Sequence, residues 1–253
     1  MKHYDILIIG GGMVGATLAR ALRGQGLSIA MAEAVRFDAR AEPGYDDRAI
    51  AVAQGTRRIF DGLQLWDRLV DDATPIHQIH VSDRGHFGFT RMTREEEGMP
   101  ALGYVVPARA IGQVLGEAIA QDGSIDMYCP AVMRSISSDD GGASVEIEQD
   151  GVMTTLAAKL VVAADGADSP VREQFGIDAA TADYHQTAII TNITPQLPHN
   201  NIAYERFTDT GPLALLPMSA QRCAVVWTVT TEQADRVMEL PDGEFLARLQ
   251  ERF

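Results

Sequence analysis

Gly10, Gly12 and Gly15 stand in the spacing G-x-G-x-x-G, and Glu33 follows them across one more predicted strand. These residue types in this order can hold a dinucleotide. Gly10 allows a tight turn, Gly12 lets backbone amides approach a pyrophosphate with no Cβ in the way, and Gly15 lets a helix lie close to a strand. The phosphates then meet the positive end of that helix's dipole. A carboxylate roughly 20 residues later accepts from ribose hydroxyls and disfavours a 2′-phosphate, so FAD or NAD is expected here and not NADP. Glycine spacing alone carries little weight, and the flanks decide. Residues 4–9 read as a buried strand, Val14, Leu18, Ala19 and Leu22 recur at helical spacing, and residues 28–33 read as a second strand.

A second group, Asp165-Gly166-Ala167-Asp168-Ser169-Pro170-Val171-Arg172, follows residues 159–164, an unbroken apolar run of the kind found in central parallel strands. Open parallel sheets bind ligands at the carboxyl ends of their strands. Asp165 and Gly166 are therefore expected beside the dinucleotide that Gly12 contacts, with Ser169 capping the next helix and Arg172 one turn into it. No metal is expected. Cys129 and Cys223 lie far apart in segments that read as strands, and both are predicted to be core residues. His77, His80 and His86 have no cysteine or carboxylate at a zinc-binding spacing, and strand alternation sends His77 and His80 to opposite faces.

At 253 residues, a nucleotide domain with a large insertion is the natural prior. The net charge of -14 argues against a nucleic-acid partner and against an electrostatic membrane anchor. Neither a signal peptide nor a bilayer-spanning apolar run is read, so a cytoplasmic location is expected. Amphipathic segments predict helices through residues 59–69 and 107–120, Pro107 standing where a missing N–H does no harm. Short strands are predicted at 76–82 and 86–90 around Asp83-Arg84-Gly85, and near 125–129, 131–137, 143–148 and 152–158. Residues 184–230 read as mostly strand and predict a separate mixed or antiparallel sheet, followed by a last helix after Pro241-Asp242-Gly243.

Together these residues resemble the class A flavin monooxygenases, which share a G-x-G-x-x-G and a later D-G segment. Within that class they resemble the ubiquinone-biosynthesis hydroxylases, in particular the 2-octaprenyl-6-methoxyphenol hydroxylase branch. That narrower likeness lies in Asp46-Asp47-Arg48-Ala49-Ile50-Ala51, residues 79–88, Leu102-Gly103-Tyr104-Val105-Val106, and Glu205-Arg206-Phe207-Thr208 with Gly211-Pro212-Leu213-Ala214-Leu215-Leu216-Pro217-Met218. The resemblance implies an α/β fold, with a Rossmann-like FAD-binding domain at 1–75 and 101–183 and an adjoining mixed-sheet substrate domain at 76–100 and 184–253. It implies an FAD enzyme that takes electrons from NAD(P)H, forms a flavin C4a-hydroperoxide with O2 and hydroxylates a polyprenylated phenol. No nucleophilic side chain is required for this, and no catalytic residue is assigned. Carried over residue by residue, Gly10, Gly12 and Gly15 hold the pyrophosphate, Glu33 the ribose, Arg48 the phosphates or flavin, Arg109 the flavin side, and Asp165 with Gly166 helps organise FAD. The family's G-D segment is expected beyond residue 253, so the resemblance covers the N-terminal two-thirds of such an enzyme. A peripheral membrane or ubiquinone-biosynthesis complex association is a further implication. Other readings are a non-catalytic FAD-binding assembly component and an FAD hydroxylase of another aromatic. A flavin halogenase does not fit, because Trp66 and Trp227 cannot form that group's paired-tryptophan motif.

Overall fold

The computed structural model describes residues 1–36 and 48–253; Asp46 and Asp47 of the Arg48 segment lie outside the described residues. In chain order the elements are β1 (Lys2–Ile9), α1 (Met13–Ala21), β2 (Ile29–Ala32), β3 (Ala49–Ala53), α2 (Gln54–Gly62), β4 (Thr74–Ile76), β5 (Gln78–Asp83) and β6 (Phe89–Thr93). Next come β7 (Gly103–Pro107), α3 (Ala108–Ala120), β8 (Ile125–Tyr128), β9 (Val132–Asp139), β10 (Gly142–Gln149), β11 (Val152–Ala163) and α4 (Pro170–Gln174). The chain continues through β12 (Gln186–Ile193), β13 (Ile202–Thr208), β14 (Gly211–Pro217), β15 (Cys223–Thr230), α5 (Thr231–Met238) and α6 (Asp242–Arg252). No helix among the described residues is long and apolar enough to cross a membrane.

By internal contacts the chain divides into two compact units, residues 1–42 with 111–180 and residues 43–110 with 181–253. The first unit is built on a sheet of order β8-β2-β1-β11-β10-β9. β8, β2, β1 and β11 run parallel, while β10 and β9 add an antiparallel edge. β1 has a strand on each side and reads as a near-continuous apolar run because a central parallel strand is covered on both faces. Leu7 and Ile8 are fully buried, and each such side chain contributes about 1.5–3 kcal/mol. Register aligns the strand ends, with Ile9 opposite both Ala32 and Ala163. The loops that follow these three strands therefore leave from one edge.

Three sequence expectations for this unit need correction. The run at 159–164 is not a separate strand: through Ala163 it is the second half of β11, which pairs with β10 over residues 152–158 and with β1 over residues 156–163. Of the stripe Val14, Leu18, Ala19 and Leu22, Ala19 is buried, Leu18 and Leu22 are half-buried and Val14 is 75% exposed. Gly15 and Ala16 join Ala19 at the buried face, because a helix lying this close to a strand admits only its smallest residues at the contact. Cys129 lies just past β8 and is half-buried, whereas Cys223 is a core residue.

The second unit holds a small antiparallel sheet, β3-β7-β4, and a mixed six-stranded sheet of order β12-β15-β14-β13-β5-β6. Only β13 and β5 pair in parallel. Pro107 closes β7, one residue before the helix it was expected to open. Ile189, Leu213, Val225, Trp227 and Val229 project from one face of the large sheet against Ala234 and Val237 of α5 and Leu249 of α6. Helix α5 has no counterpart among the predicted elements. Residues 43–75 and 101–110 fall in this unit because β3 and β4 both pair with β7. This division by contacts differs from the division by function expected from the sequence.

Candidate functional site

The loops after β1, β2 and β11 meet at the carboxyl edge of the parallel sheet. The Gly10 N–H donates to the Ala32 carbonyl at 2.8 Å, and the Ala164 N–H donates to the Ile9 carbonyl at 2.7 Å. Gly10 has φ +98°, and a Cβ there would overlap the Ala164 carbonyl group and lie 2.9 Å from Asp165 Cα. Glycine at this position thus lets the two motifs touch, beyond allowing the turn. At Gly15 a Cβ would sit inside contact distance of the Gly10 carbonyl oxygen and 3.2 Å from Ile8 Cγ2, which explains how closely α1 approaches β1. Gly12 is different. Its backbone, at φ -63° and ψ -174°, suits any residue, and a Cβ there would meet nothing within 4 Å among the described residues. Protein packing accounts for the first and third glycines and not for the second.

Gly12 is also the N-cap of α1, and no side chain among the described residues caps that end. The helix therefore presents backbone N–H groups and a positive dipole end at the sheet edge, which is a ready-made anion site. Beside it lies Glu33, only 6% exposed. Its Oε2 accepts from the Gly11 N–H at 2.6 Å and its Oε1 from the Val35 N–H at 2.8 Å, so the carboxylate is tied into the glycine loop. Asp165 Oδ2 accepts from the Val171 N–H at 3.1 Å, and Ser169 Oγ accepts from the Arg172 N–H at 3.0 Å. Both side chains cap α4, and the Arg172 guanidinium returns to the Ala167 carbonyl at 2.6 Å. Gly166 adopts φ +98°, a conformation that favours glycine. Gly10, Gly12, Gly15, Glu33, Asp165 and Gly166 thus form one cluster in the first unit.

Arg48 and Arg109 belong to the second unit. They flank the same end of the β3–β7 ladder: Ala49 pairs with Pro107, and the Ala108 N–H donates to the Arg48 carbonyl at 2.8 Å. Arg109 Nη2 lies 3.9 Å from Asp72 Oδ1. Sequence separation hid this pairing of two cations at one strand end. Among the described residues no group of three or more His, Cys, Asp or Glu is arranged to hold a metal.

The face of the six-stranded sheet opposite α5 and α6 carries one row in register across all six strands: Thr90, Val81, Glu205, Ala214, Val226 and Ile190. Glu205 is the only ionisable residue in that row. It makes no ion pair or side-chain hydrogen bond among the described residues, and burial pushes its carboxyl above the usual range. Sequence reasoning placed Glu205 only inside a family segment. The signal that could have singled it out is a lone acid at the centre of a strand whose neighbours on the same face are apolar.

The profile of the FAD binding domain family matches residues 3–253. Ubiquinone hydroxylase UbiL of Rhodospirillum rubrum is 36% identical over 252 residues, covering 100% of this chain and 58% of that protein. Ubiquinone hydroxylase UbiM of Neisseria meningitidis is 30% identical, covering 99% and 55%. The chain thus spans less than two-thirds of the length of these relatives. Among solved structures, Pseudomonas aeruginosa PqsL in complex with 2-aminobenzoylacetate superposes with a TM-score of 0.83 at 22% identity, covering 100% of this chain and 68% of that one. The p-nitrophenol 4-monooxygenase PnpA of Pseudomonas putida gives 0.78 at 19% identity, covering 100% and 63%. At such identities these two establish the fold alone.

Proposed function

This chain belongs to the FAD binding domain family, and we propose that it holds FAD in an NAD(P)H- and O2-dependent monooxygenase that hydroxylates a polyprenylated phenol in ubiquinone biosynthesis. The observation that carries the FAD assignment is Gly12, the one glycine of the three that no neighbour among the described residues requires. A pyrophosphate lying over Gly12 needs that space and meets the uncapped start of α1. Gly10 and Gly15 hold the loop in shape for it, while Glu33 accepts from the adenosine ribose and at the same time fixes the loop through the Gly11 N–H. Asp165 and Gly166 keep the β11 loop against Gly10. Arg48 and Arg109 serve the phosphates and the flavin side.

Bound FAD, reduced by NAD(P)H, supplies the chemistry that delivers an oxygen atom from O2 to an electron-rich ring. The chain's own share is binding and orientation. We assign FAD binding to residues 1–75 and 101–183 and substrate binding to residues 76–100 and 184–253. On the face of the six-stranded sheet opposite α5 and α6 the apolar members of the row take the ring, and the Glu205 carboxylate accepts the phenol O–H, raising electron density on the ring. A polyprenyl tail contributes about 0.8 kcal/mol per buried CH₂, which lets the protein draw its substrate from a lipid surface without an anchor of its own. Peripheral membrane or complex association belongs to this reading.

The test is a fluorescence titration of FAD into the purified chain, followed by equilibrium dialysis of a farnesylated phenol and of its unprenylated parent. FAD binding at one per chain is expected, with preference for the farnesylated phenol. Absence of FAD binding overturns the cofactor assignment. Equal retention of the two phenols removes support for the prenylated substrate and favours a small aromatic one.

A further inference from the structure

On the other face of the same sheet, a cavity of about 360 Å³ opens beneath α5 and α6, wholly within the second unit. Four arginines line it: Arg84 just past β5, Arg236 from α5, and Arg248 and Arg252 from α6. The lining has one carboxylate, that of Glu251. In a chain of net charge -14 this is a local inversion of sign. Asp209 pairs with Arg252 and lies 4.0 Å from Arg84, and Arg84 also donates to the Glu251 carbonyl at 3.5 Å. Arg236 and Arg248 have no ion pair or hydrogen bond among the described residues.

A second observation is independent of the charges. Trp227 lines the same cavity and is 3% exposed, and its indole Nε1 is buried with no hydrogen-bond partner. That Nε1 is closed to solvent, so Trp227 gives the cavity an aromatic wall and the guanidinium groups give it its donors. Guanidinium groups donate and do not accept. A ligand that meets all of them must present acceptor oxygens and negative charge, and phosphate matches the fork of guanidinium donors. The volume lies within the range of small-molecule sites.

We infer that this cavity binds a compact phosphate-bearing anion of diphosphate size, with Arg236 and Arg248 pairing its oxygens against the wall formed by Trp227. Its position on the face opposite Glu205 makes it a site separate from the one proposed for the phenol. The ligand is either a free phosphate ester or the headgroup of an anionic lipid.

Trp66→Phe leaves Trp227 as the sole tryptophan and reporter. Pyrophosphate added at constant ionic strength should change its fluorescence saturably, with a matching calorimetric isotherm on the unaltered chain. Arg236→Ala combined with Arg248→Ala should weaken binding at least about tenfold, while Arg58→Ala, an exposed arginine on α2, leaves it unchanged. Phosphatidylcholine vesicles with and without phosphatidic acid form the second arm. Saturable pyrophosphate binding supports a free phosphate ligand, and binding only to phosphatidic acid vesicles, with the same arginine dependence, supports the headgroup. Binding in neither arm, binding that survives the double substitution, or an equal loss with Arg58→Ala overturns the inference.

Discussion

Alanine at Gly15 and alanine at Gly12 should separate folding from binding. At Gly15 the new Cβ meets the Gly10 carbonyl oxygen inside contact distance, the Gly10 carbonyl carbon at 3.1 Å and Ile8 Cγ2 at 3.2 Å. Two of those three atoms are backbone and cannot yield alone. Overpacking costs about 1–3 kcal/mol, and the closeness here places the cost at the upper end. Alanine's helix propensity returns about 1 kcal/mol, leaving a net loss of about 2 kcal/mol. At about 2–4 °C per kcal/mol for a chain of this size, Tm falls by about 4–8 °C. At Gly12 alanine fits the backbone and touches nothing among the described residues. Its lower unfolded-state entropy stabilises by about 0.4–1 kcal/mol, and the loss of glycine's N-cap preference offsets a similar amount, so Tm moves by no more than about 2 °C. FAD affinity should instead fall at least about tenfold, because the methyl group stands where the pyrophosphate approaches. Circular-dichroism melts of the apo proteins and quenching of FAD fluorescence give the two readouts. If Gly12→Ala melts as low as Gly15→Ala, or binds FAD as the parent does, packing explains the whole motif and the assignment of Gly12 to the ligand is wrong.

Removing the Glu33 carboxylate with alanine should cost about 2–4 kcal/mol in chemical denaturation, since charge-assisted bonds to Gly11 and Val35 are lost from a buried position, and Glu33→Gln should recover part of that; Glu33→Arg should weaken FAD by about 1–3 kcal/mol. Burial raises the folded-state pKa of Glu205 above its unfolded value, so the native state holds this proton more tightly and stability falls as pH rises from the unfolded value through the folded one. Glu205→Gln should therefore gain Tm relative to the parent as pH increases from 4 toward neutrality, and a constant difference across that window would mean the carboxyl is not desolvated. Burial pushes the Cys223 thiol up to about 11, so a chromogenic disulfide reagent at pH 8 should modify half-buried Cys129 first and Cys223 only after unfolding; rapid reaction of both in the native protein would contradict the packing of β15.

What the residues disclosed in advance follows from the range of the interaction involved. β1 is legible because a strand covered on both faces must be apolar throughout, and Glu33 because a strand end at a fixed distance from the glycines is a local property. The face of α1 was misread for an equally physical reason. Periodicity ranks side chains by hydrophobicity, but close helix–strand contact selects by size, so Gly15 and Ala16 join Ala19 on the inward face while Val14 stays exposed. Arg48 with Arg109, and Glu205 with its apolar row, depend on which strands pair across long stretches of chain, and no window along the sequence contains that information. The glycines are the most instructive case. Sequence reading gives Gly10 the turn, Gly12 the approach of backbone amides and Gly15 the helix–strand contact; in the structure Gly10 and Gly15 are required by atoms of the protein itself, and Gly12 by none among the described residues. A residue that neither backbone geometry nor packing demands is the one whose identity must be explained from outside the chain, and in this cluster that residue lies at the uncapped start of a helix beside a buried carboxylate.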